Sequence, residues 1–560
     1  MTKYLPHLLI LTMVLAVFFR FWQFGQVPSG SYWDETAMLI DAKAFVTTGL
    51  DQHGLSVWTA ILPSYGDYKL AVYPVLVFLL AQVWGPELWI VRLPSLLAGL
   101  LSIWVTYLLA RRLAELSGGS KQAGLFGLSA GLIIATSPWS FIFSRTGFES
   151  HLAQFWLAGA VYLTLSPIRL WLKLPLILFF GVLSMLTYYA LGFVWPVVII
   201  AGLMASYLWT RSKTQHDMGL SISRTSLGIV MVILVASISY LVFTSHRLYP
   251  QFNQYRLSTA SILNTTDYPI LSNQLRQWAG NHSYDRVFFH RHYLLLLALA
   301  DNLSRQLSPT TLFFTADSNL RHSVTHTGLF LWPGIFLLII GCLNLLKKQK
   351  IVLLFLLIWI LVAVIPASVP VVGPHALRAL PSLVPLSLLI GWGLATLLTQ
   401  NYKIRAFTLL QYLFLTGYLA TFLIFVYTYF VSYPTISREF WQTSYKSLVE
   451  QVVQLRTSGQ KTLIIHPDGL LYLWFMAYGP YSGQEFSQWT QTNYQLTQFD
   501  NIYFRPSLIS PDELTQLNIL AGNQEMINNF LDQNLNRTDW NCLPIDDSGP
   551  EVNISCQKVK

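Results

Sequence analysis

The sequence predicts an α-helical polytopic membrane protein, with about 11 to 13 transmembrane helices and a small extracytoplasmic α/β domain at the C-terminal end. Of its 560 residues, 53% are hydrophobic and only 11% are charged, against roughly 25% charged in soluble domains. The apolar residues form separate runs of about 17 to 25 residues, the length that a helix needs to cross a bilayer. This composition excludes a soluble enzyme and a nucleic-acid-binding protein.

The apolar runs predict about twelve spans, and we interpret the first as a retained helix rather than a cleaved signal peptide. A short run at 70–84 and a long one at 405–431 leave 11 and 13 spans open as alternatives. Within the apolar run 181–210, a re-entrant turn at 188–192 is a further alternative. The predicted spans lie near residues 5–22, 70–84, 89–110, 122–138, 150–165, 170–187, 190–209, 226–244, 328–346, 350–367, 379–398 and 405–431.

Lys and Arg are concentrated in alternate connections, which the positive-inside rule places in the cytoplasm. The loops 23–69 and 245–327 then lie outside, and an odd number of spans also places the tail outside. The tail differs in charge, because residues 1–431 carry 27 Lys and Arg against 13 Asp and Glu, whereas residues 432–560 carry 8 against 13. We therefore expect a transmembrane domain over 1–431 and an extracytoplasmic α/β domain over 432–560, in a multi-pass protein of the cell membrane.

Alternating helical and strand patterns predict the α/β character of the tail. Cys542 and Cys556 both lie in it and could pair if the tail is outside the cytosol. The predicted elements are a helix at 441–455, a strand at 462–466, a helix at 469–478 and a strand at 501–505.

The first external loop is rich in acidic residues, and a carboxylate near a membrane is costly unless it is solvated, paired or used. Pro28 to Ser31 predict a turn that leads into a helix carrying Asp34, Glu35 and Asp41. Asp34 and Asp41 are seven residues apart and so share one face of that helix. The alternative is that Ser31 and Asp34 only cap the helix.

Several short motifs occur in an order that resembles the membrane-embedded glycosyltransferases of the C-type fold, especially the protein O-mannosyltransferase and aminoarabinose lipid A transferase group. The resemblance implies that Asp34 is the catalytic base with Glu35 beside it, and that the donor is a sugar on a polyprenyl phosphate. One departure is that Leu70 and Ala71 follow Lys69, where the family commonly has two prolines. The motifs are Phe19-Arg20-Phe21-Trp22, Pro28 to Glu35, Tyr68-Lys69, Arg92-Leu93-Pro94-Ser95, Ser137-Pro138-Trp139, Ser144-Arg145, Glu149, Asn319 to His322, and Pro374-His375 with Arg378.

A polyprenyl phosphate is a good leaving group, so sugar transfer needs a base for the acceptor and cations that hold the phosphate. Basic residues at external span ends are the expected phosphate ligands, although each could be an ordinary snorkelling side chain. We also expect substrate contacts from Arg321, His322 and His375. The expected phosphate ligands are Lys69, Arg92, Arg145 and Arg378.

His322 and His326 are four residues apart and could share a helix face as metal ligands. Histidine is common in a polar loop, however, so we predict no metal and no cofactor, with a divalent cation as the minor alternative.

The predicted function is an integral membrane glycosyltransferase that transfers a sugar, with mannose the first candidate, to an external protein, lipid or glycan acceptor with inversion. A transporter or lipid flippase is the main alternative, and a catalytically inactive partner subunit is the third. Transporters usually place ionisable residues in mid-span, whereas here the charges cluster at external span ends and in loops.

Overall fold

The computed structural model describes most of the chain, but the predicted span 226–244 and the first part of the loop 245–327 lie outside the described residues. The described residues are 5–59, 61–65, 67–119, 122–212, 262, 267–370, 373–399, 405–457, 459–467, 469–490, 496–504, 516–546 and 553–559.

Helices account for most of the described structure. The α-helices are Leu5–Phe21, Trp33–Thr48, Val72–Trp84, Leu88–Leu116, Ala123–Thr136, Pro138–Ser144, Glu149–Leu165, Leu170–Thr187, Leu191–Ser212, Asp267–Trp278, Asp285–Phe288, Arg291–Gln306, Gly334–Lys348, Lys350–Ser368, Ala376–Ala379, Leu383–Thr399, Arg405–Tyr427, Tyr433–Ile436, Thr443–Leu455, Tyr472–Tyr478, Gly483–Thr490 and Gln524–Asn534. The strands are β1 (Ile61–Ser64), β2 (Asp67–Leu70), β3 (Lys461–Ile465), β4 (Gln498–Phe499), β5 (Ile502–Tyr503), β6 (Leu517–Asn523), β7 (Trp540–Asp546) and β8 (Asn553–Lys558).

Among the described residues, five helices are long and apolar enough to cross a membrane. A sixth span results if Ala123–Thr136 and Pro138–Ser144, which are bent by 62° against each other, count as one. Three shorter apolar helices add to these, at 7–21, 72–84 and 171–187. The prediction of a multi-pass membrane protein is confirmed, and the total number of spans stays a prediction.

The chain divides into two compact units, of which the first comprises residues 1–22, 95–144 and 148–428. This helical unit contains close helix pairs, and its helices Gly334–Lys348 and Leu383–Thr399 contact each other through glycine. A Cβ atom at Gly341 or Gly393 would collide with the backbone of the facing helix. Small residues are needed there because apolar helices in lipid gain contact only by close packing.

The second unit comprises residues 23–94, 145–147 and 429–560. Its main sheet has six strands in the order β4-β5-β3-β6-β8-β7, in which β3 runs parallel to β5 and β6, and β8 runs antiparallel to β6 and β7. β1 and β2 form a separate antiparallel hairpin. The helix Gln524–Asn534 packs on the sheet, so the predicted α/β character of the tail is confirmed.

The loop 23–69 belongs to this second unit together with the tail. The helix Trp33–Thr48 packs against two tail helices, Tyr472–Tyr478 and Gly483–Thr490. The hydroxyl groups of Ser31 and Tyr478 are hydrogen-bonded at 3.0 Å, although 447 residues separate them. The sequence analysis assigned the loop 23–69 to the transmembrane domain, whereas residues 23–94 group with the tail in the second unit.

A disulfide joins Cys542 and Cys556 across the neighbouring strands β7 and β8. The pairing that the sequence left conditional is therefore present. Cys556 is fully buried in the core formed between the sheet and the helix Gln524–Asn534.

Candidate functional site

Asp34 lies in the first turn of the helix Trp33–Thr48 and is half-buried. Its carboxylate accepts a hydrogen bond from the hydroxyl of Tyr65, a residue with positive φ in the β1–β2 turn. No side chain caps the helix N-terminus at Tyr32, and Ser31 bonds instead to the Thr36 hydroxyl at 2.9 Å. The contacts therefore favour a carboxylate held by a tyrosine over a helix cap. Nothing in the sequence marked Tyr65 as its partner.

Glu35, one residue later, is fully buried and pairs with Arg92. Arg92 donates from Nε to Oε1 of Glu35 at 3.0 Å and from Nη2 to Oε2 at 2.8 Å. The backbone N–H of Gly147 also donates to Glu35, at 2.6 Å. Because a buried bidentate pair with a third donor leaves Glu35 no contact with solvent, its position favours a structural role over the catalytic role expected from the sequence.

Arg92 is also fully buried, and its remaining N–H groups bind backbone carbonyls. Nη1 donates to Pro28 at 2.8 Å and to Gly25 at 3.4 Å, while Nη2 also donates to Gly30. All five guanidinium N–H groups are thereby used within the second unit. This favours a structural role for Arg92 rather than the phosphate contact expected from the sequence.

Arg145 is buried in the same unit. Its Nη2 donates to the carbonyls of Gln23 at 3.0 Å and Val27 at 3.2 Å. Its guanidinium lies over the rings of Tyr429 and Phe430, at 5.4 and 4.9 Å from their centroids. These contacts hold the start of the loop 23–69 in place, so Arg145 also has a structural role that the sequence did not indicate.

Lys69, in β2, is buried and forms an ion pair with Asp41 at 3.4 Å. Gln52 donates to the same carboxylate from its side chain at 2.8 Å. Asp51 lies close by, and burial, followed by the charge of Asp41, raises the pKa of its carboxyl to about 7. Two carboxyl groups therefore face the one lysine, which leaves little uncompensated positive charge for a ligand.

The helical unit contains a second polar cluster, around Asp317. His322 Nδ1 lies 2.8 Å from Asp317 Oδ2, and the same oxygen accepts from the backbone N–H of Ala376 at 2.9 Å. Burial would raise the pKa of Asp317, but the hydrogen bond and charge of His322 outweigh it and hold the pKa low. The ring of His375 stacks on that of His322, with 5.3 Å between centroids.

Two arginines complete this cluster. Burial, followed by the positive charges of His322, Arg378 and Arg321, lowers the pKa of His375 to about 3. Arg321 and Arg378 are both half-buried. Arg321 donates from Nε to Asn319 at 3.3 Å, and no hydrogen bond or ion pair joins Arg378 to the described part of the chain. The structure thus brings the three predicted substrate contacts, Arg321, His322 and His375, together with Arg378 from the predicted phosphate ligands, and it adds Asp317.

His326, the other predicted metal candidate, is not part of this cluster. Asp317, His322 and His375 each offer one ligand atom, and these atoms lie within 4.8 Å of one another. His326 has positive φ in the following turn. The pair of histidines that the sequence suggested is therefore replaced by a set of two histidines and one aspartate.

No protein-family model and no curated protein matches the chain. Among solved structures, it is similar to apo ArnT from Cupriavidus metallidurans, with a TM-score of 0.52, 11% identity, and coverage of 98% of this chain and 97% of that one. The chain has the GT-C fold of ArnT. The resemblance to aminoarabinose lipid A transferases is therefore confirmed at the level of the fold.

Two further structures are similar at lower scores. ArnT bound to undecaprenyl phosphate has a TM-score of 0.47 and 13% identity, with coverage of 98% of this chain and 97% of that chain. The oligosaccharyltransferase AglB from Archaeoglobus fulgidus, in complex with an inhibitory peptide and a dolichol-phosphate, has a TM-score of 0.48 and 14% identity, and the match covers 94% of this chain and 70% of that one.

Proposed function

We propose that this protein is an integral membrane glycosyltransferase that transfers a sugar from a polyprenyl phosphate to an acceptor on the external side of the membrane. The similarity to the whole length of ArnT is the observation that carries the proposal. Mannose is the first candidate sugar, and a protein, lipid or glycan is the acceptor. Direct displacement of the phosphate by the acceptor inverts the anomeric carbon.

Asp34 is the proposed general base. Its carboxylate is half-exposed, whereas Glu35 beside it is fully buried against Arg92. A base must reach the proton of the acceptor within hydrogen-bond distance, and only the exposed member of this pair can do so. Tyr65 positions the carboxylate through its hydroxyl.

The proposed contacts to the donor phosphate are Arg378, one of the four ligands that the sequence suggested, and Arg321, which replaces the other three. Arg378 is retained because the residue is only half-buried and forms no hydrogen bond or ion pair with a described residue. Lys69, Arg92 and Arg145 already bind protein groups. A guanidinium binds phosphate through two parallel N–H groups, which suits this task.

The disulfide supports an external position for the tail, since disulfides persist in oxidising compartments and are rare in the cytosol. A reporter fused after Lys560 should be active only outside the cytoplasm. Activity of the reporter in the cytoplasm would overturn this orientation.

The direct test is sugar release from a panel of polyprenyl-phosphate sugars by the purified protein, with the anomeric configuration of the product determined. We expect Asp34→Asn to lower the rate by about 10² to 10⁴, because it removes the base without changing the shape of the side chain. The control is Asp301→Asn, which changes an exposed carboxylate paired with Arg305. A rate for Asp34→Asn within a few fold of the unchanged protein would reject the base. Lipid movement without sugar transfer would favour the flippase.

A further inference from the structure

We propose that Asp317, His322 and His375 form a zinc-binding site in the helical unit. One ligand atom from each residue lies within 4.8 Å of the other two. Two imidazole nitrogens and one carboxylate oxygen are a ligand set that Zn²⁺ commonly takes, with the fourth position left open.

The ligands come from two segments that are far apart in sequence, and backbone N–H groups hold these segments together. Asp317 and His322 belong to the loop after the π turn Thr311–Thr315, and His375 precedes the helix Ala376–Ala379. The N–H of Ala376 donates to Asp317 at 2.9 Å, and the N–H of His375 donates to Gln306 Oε1 at 2.8 Å. These bonds fix both segments before any ligand binds, which favours a preorganised site.

An unsatisfied nitrogen is the second observation that points to a metal. His375 Nδ1 is buried, and it has no hydrogen-bond partner within the described part of the protein. Buried polar atoms are nearly always satisfied, and an exception calls for an explanation such as an ion. A metal beside this nitrogen would supply the missing partner.

The size of the cluster suits zinc after a small adjustment. Ligand atoms at about 2.0 to 2.2 Å from a tetrahedral zinc lie roughly 3.3 to 3.6 Å apart, so the cluster has to contract by little more than about 1 Å. Asp317 and His322, now 2.8 Å apart, would exchange their hydrogen bond for metal bonds. The rings of Phe143 and Phe148 lie against His322 and give the site an apolar wall, which limits solvent access.

The nearby cations indicate what the open position would bind. Arg321 and Arg378 both interact electrostatically with His375. Two guanidinium groups weaken the binding of a bare cation but favour an anionic fourth ligand, such as hydroxide or a phosphate oxygen. The zinc site itself does not depend on the proposed transfer activity.

The experiment measures zinc in the full-length protein after removal of metal by a chelator, dialysis against Zn²⁺ and gel filtration. We expect one zinc per chain, and at least a tenfold loss of zinc affinity in Asp317→Asn and in His375→Gln. His326→Gln is the matched control, because it removes a histidine of the same loop that lies outside the cluster, and it should keep full zinc binding.

Absence of zinc from the folded, unaltered protein would overturn the proposal. It would also be overturned if the Asp317→Asn and His375→Gln variants bound as much zinc as the unaltered protein. X-ray absorption of the zinc-loaded unaltered protein gives a second reading that does not require any variant to fold. It should show nitrogen and oxygen neighbours that include two imidazoles, and a spectrum without imidazole would also overturn the site. None of these readings uses sugar transfer, so they fail or succeed separately from the proposed function.

Discussion

The arginines of the two units differ in how their charge is used. In the second unit, Arg92 is fully buried and donates all five N–H groups to Glu35 and to backbone carbonyls. Arg145 is also buried, against carbonyls and aromatic rings. In the helical unit, Arg321 and Arg378 are half-buried, and the described residues offer Arg378 no anion.

This difference separates arginines that hold a fold together from arginines that can bind a ligand. A buried guanidinium whose N–H groups are all used cannot bind a phosphate without losing existing hydrogen bonds. A partly exposed guanidinium beside histidines can bind a phosphate without losing existing hydrogen bonds to the protein. Position at a span end, which Arg92, Arg145 and Arg378 share in the sequence, does not distinguish the two groups.

The largest effect is expected for Arg92→Met. Removing one partner of a buried ion pair leaves Glu35 charged and unpaired, which should cost about 3 to 5 kcal/mol of stability. Thermal unfolding and the monodisperse fraction of purified protein measure this. The double variant Arg92→Met with Glu35→Met should recover part of the loss, because no unpaired charge remains.

Arg305→Met is the control for this change, since Arg305 is exposed and its pair with Asp301 is worth little. If the Arg92→Met variant unfolds at the same temperature as the unchanged protein, the proposed structural role of Arg92 is contradicted.

A smaller effect, on binding rather than stability, is expected for Arg378→Gln and Arg321→Gln. Each should weaken donor binding by about 10- to 100-fold, because a charge-assisted contact is worth about 1.5 to 3 kcal/mol, while the melting temperature stays unchanged. Titration with a polyprenyl-phosphate sugar measures the affinity, and the exposed Arg291→Gln is the control. If Lys69→Met lost donor affinity without losing stability, the proposed division between structural basic residues in the second unit and ligand-binding ones in the helical unit would be wrong.

The smallest effect is expected at Asp51, which faces Lys69 together with Asp41. The pKa of its carboxyl is about 7 in the folded protein and about 3.9 in an unfolded chain. The folded state therefore keeps a proton that the unfolded state loses, and stability falls as the pH rises from about 4 to 7. Asp51→Asn removes this penalty, and its stability advantage should grow by about 1 to 2 kcal/mol between pH 5 and about pH 6.5.

Asn can still accept the two backbone hydrogen bonds that Asp51 receives from His53 and Leu55. Melting curves of both proteins across this pH range provide the test, with the exposed Asp301→Asn as the control. Parallel curves for Asp51→Asn and the unchanged protein would contradict the raised pKa.

The sequence predicted the features that depend on local pattern. Apolar runs indicated the membrane helices, and the position of two cysteines in the tail indicated a possible disulfide. β7 was missed because it contains Pro544 and lies at the edge of the sheet, where proline is tolerated. An edge strand with proline has the composition of a loop.

The roles of the site residues depend on partners distant in the chain, which a single sequence does not show. Glu35 and Arg92 are 57 residues apart, so their pairing could not be seen in the motifs that contain them. Asp317 and His375 are brought together by contacts between distant segments, such as the hydrogen bond from Ala376 to the aspartate across 59 residues. The sequence indicated which residue types were important, and long-range contacts determine which of them are accessible.

The hydrogen bond between Ser31 and Tyr478 has a consequence for biogenesis. The ribosome adds about 5 to 20 residues per second, so the loop 23–69 is made on the order of half a minute before the tail segment that packs against it. During this interval, the helix Trp33–Thr48 can pack against the neighbouring helix Val72–Trp84 but lacks its two partners in the tail. We therefore expect this protein to depend on membrane chaperones more than its number of spans alone would suggest. We also expect that truncation before residue 429 makes the loop 23–69 sensitive to proteases.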